Sequence, residues 1–160
     1  MLRIIPVLEG PALSRAQQLF REYAATLAVF HCLQDFELEV NSLPGPYAPP
    51  DGKLLLAIGD GEEDPDDAAG CGAFRSLELG VCEMKRLYVR PAFRGKGVGR
   101  TLVEALIAEA RSIGYERMVL DTLPSMGDAH KLYRRLGFHE ISSYQSDPIP
   151  GALFFELALR

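Results

Sequence analysis

The residues with the clearest chemical consequence lie between Glu83 and Ile107, in EMKRLYVRPAFRGKGVGRTLVEALI. Leu87, Tyr88 and Val89 favour a strand, and Pro91 ends it because proline has no N–H for a sheet ladder. Arg94, Gly95, Gly97 and Gly99 follow, and an amphipathic run comes after them. Glycines at a helix start let the main chain approach a ligand closely, with free N–H groups pointing outward. Those donors and the helix dipole favour an anion, above all a phosphate. A P-loop requires G-x-x-x-x-G-K-[ST], which no window here supplies. A dinucleotide fingerprint requires G-x-G-x-x-G. Gly95, Gly97 and Arg100 break that spacing, and no acidic residue closes a second strand at the expected distance.

The remaining pattern is R/Q-x-x-G-x-G/A, filled by Arg94, Gly97 and Gly99. With the strand before it, the stretch from Arg86 to Gly99 resembles the coenzyme A motif of the GCN5-related N-acetyltransferases, the GNAT family. The stretch A-x-x-L-Y-x-x-L-G-F, Ala129 to Phe138, is similar to the second signature of that family. The resemblance implies an α/β (α+β) GNAT fold: a mixed, mostly antiparallel sheet of about seven strands with about four helices. Two parallel central strands, ending here at Val89 and Thr122, should splay apart and admit the cofactor.

The same resemblance implies acetyl-CoA as acyl donor and an amine of a small molecule or peptide as acceptor. Leu87, Tyr88 and Val89 should lend backbone groups to the pantetheine arm, as an added strand would. Gly95, Lys96, Gly97, Val98, Gly99 and Arg100 should hold the pyrophosphate, with Arg94 opening the turn. Met126 stands where many relatives carry an asparagine that contacts pantetheine, so that contact is either lost or made by backbone. Lys131, Arg134 and Arg135 form either a 3′-phosphate contact or a solvated helix face. Glu83 has the offset from Arg94 of the general base in some histone-type members. A carboxylate, or a water it orients, can take the proton of the attacking amine. Strand alternation places Glu83 on the face of Leu87 and Val89; the plainer reading pairs it with Lys85 or Arg86. A backbone N–H near Val89 is the expected oxyanion donor. Tyr133 matches the tyrosine that stabilises or protonates the leaving sulfur. For the acceptor, Tyr23, Phe36, Tyr47, Tyr144 and Phe154 are aromatic candidates that also suit a core, and Asp121 either holds an amine or serves the next turn.

Composition narrows the alternatives. A chain of 160 residues reads as one domain over 1–160, with 48% apolar and 24% charged residues. A net charge of −5 argues against nucleic-acid binding and suits an amine substrate. Cys32, Cys71 and Cys82 are odd in number and, like His31, His130 and His139, lack metal-ligand spacing. With no signal-peptide pattern, they read as reduced thiols in a cytoplasmic protein, and no apolar run suits a membrane span. Oligomeric state stays open, although dimers are common among similar proteins.

The elements that must position these residues follow from periodicity. Leu2 to Val7 suits a strand cut by Pro6, and Pro11 to Phe30 a helix begun by Pro11 or Ser14. A second helix should span Gln34 to Leu43, followed by a proline-rich loop. Strands are expected at Lys53 to Ile58 and Gly70 to Leu77. The acidic stretch between them, Gly59 to Ala69 with Glu62, Glu63, Asp64, Asp66 and Asp67, reads as a solvated hairpin tip rather than as a metal or partner site. Val98 to Ile113 should be a helix with Leu102, Leu106 and Ile113 on its stripe, stopped by Gly114. Arg117 to Thr122 then closes a βαβ unit parallel to the central strand. Ser125 and Asp128 suggest a capping box for a helix ending at Gly137. Phe138 to Tyr144 and Ala152 to Leu159 are expected to be closing strands.

Overall fold

Apolar alternation and turn residues fold the chain into the order β1 (Arg3–Pro6), α1 (Gly10–Thr26), α2 (Leu33–Asn41), β2 (Lys53–Ile58), β3 (Ala68–Glu78), β4 (Val81–Val89), α3 (Val98–Ile113), β5 (Arg117–Thr122), α4 (Gly127–Arg135), β6 (His139–Ile141) and β7 (Leu153–Ala158). The structure is a computed structural model. It describes residues 2–27, 33–59 and 68–160, without the side chains of Leu33 and Gln34. The expected acidic tip, His31, Cys32 and the last part of the first predicted helix lie outside the described residues.

The seven strands form one sheet in the order β1-β2-β3-β4-β5-β7-β6. Among the described residues only β4 and β5 pair in parallel, as the βαβ reading requires. The helices cover both faces. One core packs Ala16, Leu19 and Phe20 of α1 and Phe36 and Val40 of α2 against Leu54, Leu56 and Tyr88. The other packs Leu102, Val103, Leu106 and Ala110 of α3 and Tyr133 of α4 against Phe74, Met84, Met118 and Phe155. Gly72 lets α3 press onto β3, since a Cβ there would stand 3.0 Å from a Leu106 methyl.

Several expectations change. Ile113 is 41% exposed despite its helical spacing. Gly114 ends α3 in the left-handed region at φ 112°, and Tyr115 takes the core position at that end, edge-on to Phe74. No capping box forms: α4 begins at Gly127 with no side-chain cap, because a turn closed by Met126 N–H onto the Leu123 carbonyl (3.0 Å) occupies Ser125. α1 stops at Thr26, whose hydroxyl donates to the Tyr23 carbonyl (2.7 Å), and Leu27 is extended. β6 ends at Ile141 instead of Tyr144, since Tyr144 leaves the strand to reach Glu83.

The largest change lies within β4. Tyr88 pairs with Cys71 but Lys85 with Ala73, so β4 carries one residue more than β3 between these pairs. That bulge is at Arg86, which has φ 62°, a left-handed value rare outside glycine. One extra residue reverses side-chain alternation. Met84, Leu87 and Val89 face α3, while Tyr88 faces α1. Glu83 therefore does not share a face with Leu87 and Val89, as unbroken alternation predicted. It lies on the α1 side, opposite Arg75 of β3.

Candidate active site

β4 and β5 pair only through Val81–Arg117, Cys82–Met118 and Glu83–Val119. Beyond these the strands separate, and among the described residues the edge of β4 from Met84 to Val89 has no partner on that side. A cavity of about 70 Å³ opens in the gap, lined among others by Tyr23, Lys85, Asp121, Thr122, Met126 and Tyr133. The fold thus brings the ends of two parallel strands, the start of α4 and one side chain of α1 to a single point.

At the outer end of β4 the chain turns through Pro91–Phe93 into α3. Gly95 (φ 77°) and Gly97 (φ 80°) are left-handed, and a Cβ at either would meet nothing, so the turn is open to solvent. The first amide of this region to find an acceptor is Thr101 N–H, onto the Gly97 carbonyl (3.0 Å). Among the described residues, the amides of residues 95–100 have no acceptor. They form a run of donors at a helix N-terminus. Arg94 folds back so that its Nε donates to the Val89 carbonyl (3.0 Å), which ties the turn to the strand end. Lys96 lies over the Phe93 ring at 5.8 Å.

Glu83 is 1% exposed and fully engaged. Its Oε1 accepts from Arg75 Nε (3.0 Å) and lies 3.0 Å from Arg75 Nη2. Its Oε2 accepts from the Tyr144 hydroxyl (2.6 Å). Lys85 Nζ stands 3.9 Å from Oε1, too far for a hydrogen bond, and Arg86 turns elsewhere. Burial, followed by the bond to Glu83, raises the Tyr144 phenol above its ordinary range. Tyr133 is 5% exposed, and its hydroxyl has no hydrogen-bond partner among the described residues. Burial raises its pKa, and the nearby Tyr23 and Asp121 add to the effect.

Three ion pairs hold the α1 and α2 side of the site. Arg86 donates from Nε (2.8 Å) and Nη2 (3.0 Å) to the two Glu39 oxygens and lies over Phe36. Burial, the largest single effect, would lower the pKa of Arg86, but the bonds to Glu39 together with the Tyr47, Glu39 and Tyr23 charges outweigh burial and raise it. Arg90 makes the matching two-point contact with Glu22 of α1, at 3.0 and 2.8 Å. The third is Arg75 with Glu83. On the opposite side, His130 Nε2 donates to the Leu123 carbonyl (3.0 Å) and lies 3.1 Å from the Thr122 hydroxyl, so it braces the turn between β5 and α4. That turn carries Met126, whose sulfur accepts from Thr122 (3.6 Å).

Residues 17–138 match the family model described as Acetyltransferase (GNAT) family. The chain belongs to the GNAT family. An uncharacterized N-acetyltransferase of Schizosaccharomyces pombe is 35% identical over 144 residues, covering 89% of this chain and 86% of the relative. An IAA acetyltransferase of Azospirillum brasilense is 35% identical over 116 residues, 70% of this chain and 71% of its own. A GNAT-family acetyltransferase from Staphylococcus aureus superposes with a TM-score of 0.81 at 16% identity, over 100% of both chains. A Salmonella typhimurium structure solved with acetyl-CoA superposes with a TM-score of 0.72 at 21% identity, over 99% of this chain and 95% of that one.

This GNAT chain is therefore an acyltransferase that uses acetyl-CoA, and its residues fit that donor. The open amides of residues 95–100 suit a diphosphate, and the unpaired edge of β4 suits an extended amide-bearing arm. Of the aromatic candidates, Phe36, Tyr47 and Phe154 are core, Tyr23 lines the cavity and Tyr144 binds Glu83. Lys131, Arg134 and Arg135 are exposed, and Arg134 pairs with Glu140. Sequence reasoning missed Arg75, although a hairpin register centred on Leu79 sets it opposite Glu83. It also missed Arg86 with Glu39 and His130, which no local pattern marks. Among the described residues no group of side chains suits a metal, and no helix is long and apolar enough to cross a membrane.

Proposed function

We propose that the protein transfers an acetyl group from acetyl-CoA to the primary amine of a small molecule, with Glu83 as base and Tyr133 at the leaving sulfur. The parting of β4 and β5 after Glu83 and Val119 carries this reading, because it opens a cavity beside Tyr133 and along the free edge of β4. Acetyl-CoA supplies a thioester whose acetyl carbon is open to attack by an amine. Backbone amides of residues 95–100 bind its diphosphate, and Arg94 and Lys96 add positive charge there. The free edge from Leu87 to Val89 holds the pantetheine arm; the Met126 N–H is taken by the Leu123 carbonyl, so at that position only the Met126 carbonyl is left to replace the contact of a relative's asparagine.

The incoming ammonium must lose a proton before its nitrogen can attack. Glu83 takes that proton. Both its oxygens are already bonded, so the route runs through a water or through the Tyr144 hydroxyl, which donates to Oε2 at 2.6 Å. Tyr133 holds its proton firmly at neutral pH, since burial raises its pKa, and donates a hydrogen bond to the departing sulfur. A cavity of about 70 Å³ between the strands supports a small amine over a folded protein surface. Free Cys71 and Cys82 support a reducing, cytoplasmic setting.

The test is acetyl-CoA consumption by purified protein against a panel of amines, with calorimetry of CoA alone. Glu83→Gln and Tyr133→Phe should each lower kcat by about 100-fold, within the usual range for acid–base groups. Unchanged rates would overturn the assigned roles. Binding of CoA without turnover on any amine would replace the transferase by a CoA-binding module.

A further inference from the structure

We propose that the acceptor is an amino acid or a closely similar zwitterion, its ammonium held by the Asp121 carboxylate and its carboxylate by the Lys85 ammonium across the β4–β5 cavity. The inference rests on the transferase reading above and specifies the substrate class of the same site.

Lys85 and Asp121 both line the cavity, one on each of the two diverging strands. Asp121 alternates with Leu120, which faces the α3 core, so its side chain lies on the α1 side. Lys85 lies there too, in register with Ala73, which packs in the α1 core. The other charges on this side are already paired: Arg75 with Glu83, Arg86 with Glu39, and Arg90 with Glu22. Lys85 and Asp121 differ. The Lys85 side chain is 17% exposed, and its nearest anion is Glu83 Oε1 at 3.9 Å, an oxygen that Arg75 already occupies. Its three donors make no hydrogen bond among the described residues. Asp121 is half-buried and has neither a hydrogen bond nor an ion pair there, although it faces Tyr23, Tyr133 and Tyr144 closely enough to raise the pKa of each. It does not serve the turn after β5, which His130, Thr122 and the backbone close without it.

Two opposite charges that are sheltered in one cavity without a hydrogen bond would normally pair with each other, and the Glu83 oxygen 3.9 Å from Lys85 gives it an ion pair but no such bond. The splay prevents this, since the strands that carry them part after Glu83 and Val119. Each charge therefore awaits a ligand group, and leaving either without one is unfavourable. A simple amine answers Asp121 but leaves Lys85 unmet, and a simple acid does the reverse. A group with both charges on neighbouring atoms satisfies the two at once through charge-assisted bonds. It also sets the amine nitrogen beside Tyr133 and the free edge of β4.

The test compares kcat/KM for the twenty L-amino acids with that for their decarboxylated amines, at saturating acetyl-CoA. At least one amino acid should exceed its own amine by about 10- to 100-fold, the usual weight of a hydrogen bond to a charged group. Lys85→Met should bring that ratio close to one, and Asp121→Asn should raise KM for amino acid and amine alike. A second readout needs no turnover. Calorimetry of the preferred amino acid into CoA-saturated protein should show binding that both substitutions abolish, while the rise in Tm caused by CoA itself persists in both. Amines that react as well as their amino acids, or a ratio that Lys85→Met leaves unchanged, would overturn the proposal while the transferase reading stands. Failure of every amine and amino acid in protein that still binds CoA would overturn both.

Discussion

Replacing Arg86 tests whether the bulge in β4 is held open by a buried ion pair. Its guanidinium meets both Glu39 oxygens at 2.8 and 3.0 Å, and the two side chains are only 19% and 21% exposed. Breaking a fully buried pair costs about 3–5 kcal/mol, because the surviving charge is left without a partner. Some water reaches this one, so Arg86→Ala should cost about 2–4 kcal/mol. For a chain of 160 residues that lowers Tm by about 4–16 °C. Arg86→Gly loses the same pair but relieves a backbone held at φ 62°, a gain of about 1–2 kcal/mol. Glycine normally weakens a strand relative to alanine by about 0.5–1 kcal/mol. The bulge reverses that order, so Arg86→Gly should be the more stable of the two variants. Glu39→Gln combined with Arg86→Ala should cost less than the sum of the single changes. The chain has no tryptophan, so urea titrations followed by far-ultraviolet circular dichroism are the suitable assay. The reasoning fails if Arg86→Ala is as stable as the parent, or if the glycine variant is weaker than the alanine one.

Other outcomes follow from the same geometry. Gly97→Ala forces a Cβ onto a residue at φ 80°, and should cost about 1 kcal/mol of stability and weaken CoA binding in calorimetry, with no loss confined to the acceptor. Tyr144→Phe removes the 2.6 Å bond to Glu83, and should lower kcat and shift the acidic limb of the pH–rate profile without changing the Kd for CoA. Burial pushes the Cys71 and Cys82 thiols up to about 12, so in a Cys32→Ser background neither should react with a disulfide reagent at pH 8 until the protein is unfolded. The same thiols ionise in the unfolded chain from about pH 9, so they reduce stability progressively as pH rises from about 9 to 12, by up to about 1.4 kcal/mol per pH unit for each thiol; denaturant midpoints across that range check the sign.

Local chemistry made much of this legible in advance. Lys53–Ile58 and Arg117–Thr122 are strands over their predicted spans, because each is a short apolar run bounded by turn residues. Gly114 and Gly137 end their helices at φ 112° and 99°, as left-handed caps. The open glycine turn before α3 was readable because arginine, glycines and a helix start coincide within a few residues. What escaped notice depends on distant partners. Arg75 with Glu83 needs the hairpin register, Arg86 with Glu39 needs α2 laid across β4, and Tyr144 reaches Glu83 from beyond β6. The capping box failed for a related reason: its spacing was correct, but the preceding turn already occupied those residues.

One inserted residue explains why the acceptor side could not be assigned by alternation. Strict period two puts Glu83, Lys85, Leu87 and Val89 on a single face, which would crowd both charges against the apolar residues beside the open edge. The extra residue at Arg86 divides that set. Leu87 and Val89 turn to the α3 core and leave the backbone of β4 free along its open edge, while Glu83 and Lys85 remain on the side of α1 and α2. Arg86 points toward α2 and is locked there by Glu39, so α2 also holds the strand conformation at the bulge. The placement of Glu83 and Lys85 and the free edge of β4 are thus two outcomes of one backbone event. A substitution that lets β4 run straight should impair CoA binding and acceptor binding together, whereas changes at Lys85 or Asp121 should affect the acceptor alone.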